Sequence, residues 1–299
     1  MLNPAVPANN LAALNVIYPQ LTTVISSGVN RSSLVDSTNQ QGNSGDILTL
    51  SGQVNFNTPA NIPNNNLGTG NILPNPIFNS TMNAVKTGDG TLELGGNVSN
   101  IGQGSMFVDA GTLALNKTGN AVALPMGNIF IGDNDLGQGS SLDQIVYRPT
   151  ATNNQITTGA NVVVNRSGQY DVANRTQTIN VLSIDKGTVL ETTGGNLQIA
   201  RAIMAGGKID TGNNVVAPAL PGVLGLTAGV ANANDASAHS FEFQPSAQIA
   251  TVNGSISLNN GFRTFVVAQQ GNTTFEGPNL YDAVINASIN GGSPTALLP

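Results

Sequence analysis

The densest group of potential metal ligands lies between residues 133 and 143. Asp133, Asp135 and Asp143 place three carboxylates in an Asn-, Gly- and Ser-rich stretch, and calcium prefers hard oxygen ligands of this kind. The spacing differs from an EF-hand loop, because no carboxylate occupies its fifth position and Gln144 stands where that loop carries a bidentate glutamate. Two interpretations stay open, a calcium site at these three residues and a plain Asx-rich corner between strands.

The remaining candidates for catalysis are sparse. His239 is the single histidine and Asp235 precedes it by four residues, but the chain has no Gly-x-Ser-x-Gly element to present a serine nucleophile, and it has no cysteine. A glycosidase or lyase needs carboxylates paired in one groove. We expect the four carboxylates along the strands to fall in different parts of the repeat: Asp109, Asp171, Asp185 and Asp210. The sequence therefore predicts no enzyme, no catalytic residue and no cofactor.

The composition indicates which elements must position these residues. Only 9% of the residues are charged and the net charge is −6, with the basic residues scattered singly. That pattern gives no footprint for nucleic acid. Asn and Gly favour turns while Thr, Val and Ile favour strands, so we expect many short strands and little helix. The uncharged stretch 215–231 contains two prolines and three glycines, and we predict a loop or buried strand there rather than a membrane span.

A repeated strand pattern gives the strongest fold signal. Segments that alternate a variable and an apolar residue recur with steps of 16 to 21 residues, and their first apolar positions are Leu92, Leu113, Ile129, Ile145, Val162, Ile179 and Leu197. A nearly constant step of this size is typical of coils built from three short strands, each coil stacking its apolar residues on the coil before. We therefore predict an all-β fold, a right-handed parallel β-helix in which these seven residues form continuous buried columns.

The rhythm also suggests boundaries. Residues 1–44 are predicted to form an irregular N-terminal segment or cap, and residues 45–299 the β-helix. A larger loop is expected as a lateral insertion at about 211–245, where the pattern is interrupted. Apolar residues close the sequence where a finished solenoid would need a polar cap, so we expect a segment of a longer chain or a unit that stacks end to end.

Two neighbouring motifs carry a family resemblance. Residues 86–97 read KTGDGTLELGGN and residues 109–116 read DAGTLALN. Together they resemble the autotransporter-associated β-strand repeat of bacterial surface proteins, whose pattern is Lys-x-Gly-x-Gly-Thr-Leu-x-Leu-x-Gly followed after a short gap by Gly-Thr-Leu. The resemblance extends over about residues 85–295 and thins at 211–245. It implies an exported passenger-type β-helix that acts as a stalk or scaffold.

These observations together predict an extracellular or cell-surface structural protein. The first hypothesis is a rigid β-solenoid stalk, or a self-assembling surface fibre or matrix component, whose partners are further copies or neighbouring segments of the same surface protein. The alternative is an adhesin or carbohydrate-binding passenger domain with glycan partners. A polysaccharide lyase or hydrolase is the third class, and it is the one that the scattered carboxylates favour least.

Overall fold

The described strands are three to ten residues long, and each of them pairs in parallel with its neighbours. The computed structural model describes residues 23–26, 47–51, 83–87, 90–132, 143–191, 194–212, 222–227, 240–261, 263–267 and 283–291. Within these residues there are strands and turns but no helix. The strands are β1 Thr23–Ser26, β2 Ile47–Ser51, β3 Ala84–Thr87, β4 Thr91–Gly96, β5 Ser105–Val108, β6 Thr112–Lys117, β7 Asn128–Ile131, β8 Asp143–Tyr147, β9 Asn161–Val164, β10 Gly168–Asp171, β11 Thr176–Asp185, β12 Thr188–Leu190, β13 Asn196–Ala205, β14 Lys208–Asp210, β15 Val223–Leu226, β16 Phe241–Phe243, β17 Ala250–Ser257, β18 Phe265–Val267 and β19 Ala283–Asn290.

The pairings sort the strands into three ladders, which we call faces 1, 2 and 3 in the order in which each coil crosses them. Face 1 contains β2, β4, β6, β8, β10, β12, β14 and the first halves of β17 and β19. Face 2 contains the first halves of β11 and β13, then β15 and the second halves of β17 and β19. Face 3 contains β1, β3, β5, β7, β9, the second halves of β11 and β13, β16 and β18. The chain is a parallel β-helix, as the sequence predicts.

The core runs along the axis because each strand turns alternate side chains inward. On face 1 one inward column passes through Leu92, Leu113, Ile145, Tyr170 and Val189, each directly paired with the next. All five side chains are fully buried. The two copies of the Gly-Thr-Leu motif lie one above the other in this column, since Leu92 pairs with Leu113.

The prediction that the seven apolar residues occupy equivalent positions in successive coils is wrong. All seven residues of the sequence pattern are buried, but they do not form one column. Leu113 pairs with Ile145 on face 1, whereas Ile129 pairs with Val162 on face 3, and Ile179 belongs to face 2, where it pairs with Ile199. The step of 16 to 21 residues therefore mixes strands from different faces, because short strands look alike wherever they lie in a coil.

Strand pairing also reaches into the two segments predicted to be irregular. β1, within residues 1–44, pairs with β3. Within the expected insertion at 211–245, Val223–Leu226 pairs with the start of β13 and Phe241–Phe243 pairs with its end. The insertion is thus divided by two regular strands of the helix. The part of the chain that the structure describes contains no helix long and apolar enough to cross a membrane.

Close stacking of coils leaves some positions no room for a side chain. At Gly168 an added Cβ would lie 2.7 Å from the carbonyl carbon of Ile131 in the neighbouring coil, a backbone contact that cannot be relieved by a rotamer change. At the exposed Gly159 no atom lies within 4 Å of such a Cβ. An alanine at Gly168 therefore tests the close contact between coils, and an alanine at Gly159 is its control.

We predict that Gly168→Ala lowers the stability of the protein by about 1–3 kcal/mol, because overpacking forces the coils apart. Gly159→Ala should change it by about 0.5 kcal/mol or less. Urea unfolding followed by circular dichroism measures both variants beside the wild type. Equal midpoints for the two variants would contradict the close contact between these coils.

Candidate functional site

The predicted calcium ligands are only partly within the described residues. Asp133 and Asp135 lie outside them, as do His239 and Asp235. Asp143 is the first residue of β8, is 4% exposed, and its backbone amide donates to the carbonyl of Ser167 at 3.1 Å. Among the residues that the structure places, no three His, Cys, Asp or Glu side chains form a group that could hold a metal ion. The calcium site stays a prediction.

Two carboxylates expected in different parts of the repeat share one outward column of face 1. Asp171 pairs with Leu190, which pairs with Asp210, so the expectation is wrong for this pair and a leucine separates the two. Burial raises the pKa of Asp210, but hydrogen bonds from Lys208, 2.6 Å away, and from the amide of Gly212 outweigh it and lower that pKa overall. A general acid in glycoside hydrolysis needs a raised pKa, so Asp210 is unsuited to that role.

A second polar group on face 1 links three coils. The Arg148 guanidinium lies 3.1 Å from one oxygen of Glu93, and the Asn116 amide donates to the other at 2.7 Å. Thr150 donates in turn to the Asn116 side chain at 2.6 Å. Glu93 reaches Arg148 past Ala114, whose small side chain occupies the coil between them. These side chains thus find their hydrogen-bond partners in neighbouring coils, and the contacts hold the three coils together on face 1.

Face 3 carries an outward apolar column, which we call the apolar stripe: Val85, Phe107, Phe130 and Val163. The rings of Phe107 and Phe130 stack with centroids 4.8 Å apart and planes 9° from parallel. Each ring therefore covers one face of the other, and Val85 and Val163 are their next neighbours in the column. A sugar-binding platform needs a free ring face, so this pair serves cross-strand packing better than carbohydrate stacking.

Solvent-facing amides border the apolar stripe. The side chain of Asn161 donates to Asn128 at 3.2 Å, and Asn180 donates to Asn161 at 3.0 Å. This amide ladder follows the axis for three coils, because the repeat returns an asparagine to the corner before face 3. It stabilises the stacking of the coils and also leaves amide groups at the surface that could bind hydroxyl groups.

Several polar side chains lie inside the β-helix and form hydrogen bonds with buried backbone and side-chain groups there. Gln155 accepts from the amide of Lys117 at 2.8 Å and donates to its carbonyl at 3.0 Å. Gln177 does the same for Ile156, at 3.0 and 2.9 Å, and accepts from the Tyr147 hydroxyl at 2.5 Å. These side chains replace backbone partners where the corner after face 1 interrupts the ladder. Burial lowers the pKa of Lys117 to about 8.

Glu191 is a buried carboxyl at the corner after β12. It is fully buried, and the backbone amides of Val223 and Leu197 approach its carboxylate without reaching good hydrogen-bond geometry. Gly222 packs against it so closely that an added Cβ would lie 2.6 Å from a carboxylate oxygen. Burial raises the pKa of Glu191 well above its usual range; the backbone amides of Val223 and Leu197 offset part of this rise, and the charge of Asp171 adds to it.

Sequence reasoning missed Glu191, although the chain carries a signal for it. Gly187-Thr188 repeats the start of the two Gly-Thr-Leu motifs, and the third residue after the motif threonine is a buried leucine in both, so the same spacing turns Glu191 inward. The Gln155 and Gln177 contacts had no such signal, because their partners are 21 to 38 residues away.

Comparison of the chain with protein-family models, with curated proteins and with solved structures found no match. On the described surface several polar side chains bind partners in the neighbouring coil, as Asn116 binds Glu93 and Asn161 binds Asn128.

The buried carboxyl of Glu191 predicts a pH dependence of stability. The unfolded chain ionises this group near 4.5, whereas the folded chain keeps it protonated to higher pH. Below pH 4.5 Glu191 is protonated in both the folded and the unfolded chain. As the pH rises toward the folded pKa, only the unfolded chain gains free energy by ionising this group, so the free energy of unfolding falls. We expect Glu191→Gln to match the wild type at pH 4 and to be more stable at pH 7.

Thermal or urea unfolding of wild type and Glu191→Gln between pH 4 and 8 measures this difference. Asp185→Asn is the control for the loss of one carboxylate from the chain, since the Asp185 side chain is 45% exposed. A constant offset between wild type and Glu191→Gln at every pH would contradict a buried, protonated Glu191.

Proposed function

We propose that the chain is a structural element of an extracellular or surface protein, a stiff β-helical stalk or scaffold. The observation that carries this proposal is the continuity of its ladders. Face 1 pairs without interruption from β2 to β19, and its nine strands at about 4.8 Å spacing form a rod section about 40 Å long. The backbone hydrogen bonds along the axis act together, and they resist both stretching and bending of this rod.

Two further features support a structural role. Two ion pairs of the described surface join neighbouring parts of different coils, Glu93 with Arg148 and Arg201 with Glu242. The two Gly-Thr-Leu motifs, on which the resemblance to the autotransporter-associated repeat rests, stack directly in register. A repeat whose copies bury each other in this way gains stability with each added coil. Export to the cell surface is what that resemblance implies.

The proposal predicts surface display. Antibodies raised against the purified chain should label intact cells of the producing organism, or the matrix around them, as strongly as permeabilised cells. An antibody against a cytoplasmic protein of the same organism, which should label only permeabilised cells, is the control. Label that depends on permeabilisation would contradict an extracellular role.

Glycan adhesion is the second candidate, and the amide ladder of face 3 is the observation that favours it. If adhesion were the function, a glycan array would retain a defined sugar, and Asn161→Ala would lose it. Asn286→Ala is a matched control, because Asn286 and Asn253 form a similar solvent-facing amide pair on face 1 at 3.3 Å. A structural role predicts that wild type and both variants retain no glycan.

A further inference from the structure

The buried carboxyl of Glu191 lies directly against the start of β15. A Cβ at Gly222, the residue before this strand, would lie 2.6 Å from a carboxylate oxygen and 2.9 Å from the carbonyl oxygen of Thr211. The amide of Gly222 donates to that carbonyl at 2.7 Å, and the amide of Val223 donates to the carbonyl of Gly195 at 2.8 Å. The start of β15 therefore covers Glu191 with the backbone of a glycine.

Inside the β-helix Glu191 lies in an inward column between Val172 and Thr211 of the adjacent coils. These positions continue the register of β12 with β10 and with β14 by one residue. All three side chains are fully buried, and neither neighbour in the column carries a charge. Burying an ionised carboxylate without water or a cation is costly. Ionisation of Glu191 therefore favours any movement that admits water to this corner.

The acidic groups on neighbouring elements oppose a charge on Glu191. Burial is the main cause that raises the pKa of Glu191, and the negative charge of Asp171 on β10 adds to it. Tyr170, beside Asp171, is a buried hydroxyl whose pKa is also raised by burial, so it stays neutral. The four residues of β15, VLGL, carry no charge.

Two cations on neighbouring elements bind other groups. Lys208 on β14 lies 2.6 Å from Asp210. Arg175, which precedes β11, donates to the carbonyl of Pro149. Pro149 follows β8, and the order β8, β10, β12 places it on the far side of the Arg175 coil from Glu191. An ionised Glu191 must therefore be stabilised by water.

β15 is weakly joined at its start. It is four residues long, and it pairs with β13 through four residues and with β17 through two. By contrast, β13 is ten residues long and pairs with β11 through nine of them. A movement that exposes Glu191 to water therefore disrupts fewer contacts at the start of β15 than at β13.

The end of β15 is held more firmly. The carbonyl of Leu226 accepts from Nε of Arg263 at 2.8 Å and from the side-chain amide of Asn259 at 3.3 Å. The amide of Thr227 donates to the carbonyl of Ile199 at 2.8 Å. The start of the strand can therefore move while its end stays bound.

We propose that Glu191 is a pH-dependent switch for the start of β15: when its carboxyl ionises, Gly222 and Val223 leave the corner and water reaches the carboxylate. The movement breaks two backbone hydrogen bonds and leaves the neighbouring coils paired. It is reversible, because protonation removes the charge that needs water. This inference goes beyond the proposed structural function and does not depend on it.

The expected pH dependence follows from the proton that opening releases. In the open state Glu191 is in water with a pKa near 4.5, whereas the closed state holds this pKa well above that value. Below pH 4.5 both states are protonated and opening does not depend on pH. Above it, the equilibrium constant for opening rises about tenfold per pH unit until the closed state also ionises.

Hydrogen exchange of the full 299-residue chain between pH 5 and 9 measures this opening. After correction for intrinsic exchange rates, the amides of Val223 and Leu224 should lose protection in the wild type by about tenfold per pH unit. In Glu191→Gln their protection should not change with pH. Asp185→Asn, which removes a carboxyl that is 45% exposed, should behave like the wild type. The amides of β6 and β9 should stay protected in all three proteins.

Equal protection of Val223 and Leu224 in wild type and Glu191→Gln at every pH would overturn the inference. A loss of protection in β6 and β9 parallel to that in β15 would also overturn it, because ionisation would then unfold the coils together. If Glu191→Gln fails to fold, the wild type alone decides, since protection of β15 that does not change between pH 5 and 9 excludes the switch.

Discussion

Every feature of this protein depends on in-register stacking of parallel strands. Backbone hydrogen bonds fix each residue beside one partner in the next coil, about 4.8 Å away. A side chain must therefore suit the residues above and below it before it suits anything else. The inward column from Leu92 to Val189 satisfies this with side chains that are all fully buried, and the outward stack of Phe107 on Phe130 does so with nearly parallel rings.

The same constraint explains the polar groups inside. Where a corner breaks the ladder, Gln155 and Gln177 supply the missing donors and acceptors. Thr211 accepts from the amide of Ser255 at 2.7 Å, and Gly254 in the next coil, at φ +109°, leaves room for its hydroxyl. Glu191 lies in the coil before Thr211, and the amides of Val223 and Leu197 only partly offset the effect of its burial, so its ionised form is destabilised there. A column thus tolerates a polar residue when its neighbours are small or complementary.

Much of the fold can be predicted from the sequence, since alternation identifies strands and glycine-rich corners separate them. The register could not be predicted in this way. The segments around Leu113, Ile129 and Ile145 are equally short and apolar, and only pairing distinguishes faces 1 and 3. For the same reason the sequence could not predict the column shared by Asp171 and Asp210 or the contact between Glu93 and Arg148. Partners in different coils are determined by the lengths of the intervening turns.

Disulfide cross-linking can measure the register in which the coils stack on the three faces. The chain has no native cysteine, so engineered pairs report without background. Phe130 and Val163 are neighbours on face 3, whereas the sequence period would instead place Phe130 beside Val146. Oxidation should join the pair Phe130→Cys/Val163→Cys in nearly all molecules and leave Phe130→Cys/Val146→Cys reduced, because a disulfide needs Cα atoms about 4.4–6.8 Å apart. Efficient cross-linking of the second pair and none of the first would contradict this register and the rod built on it.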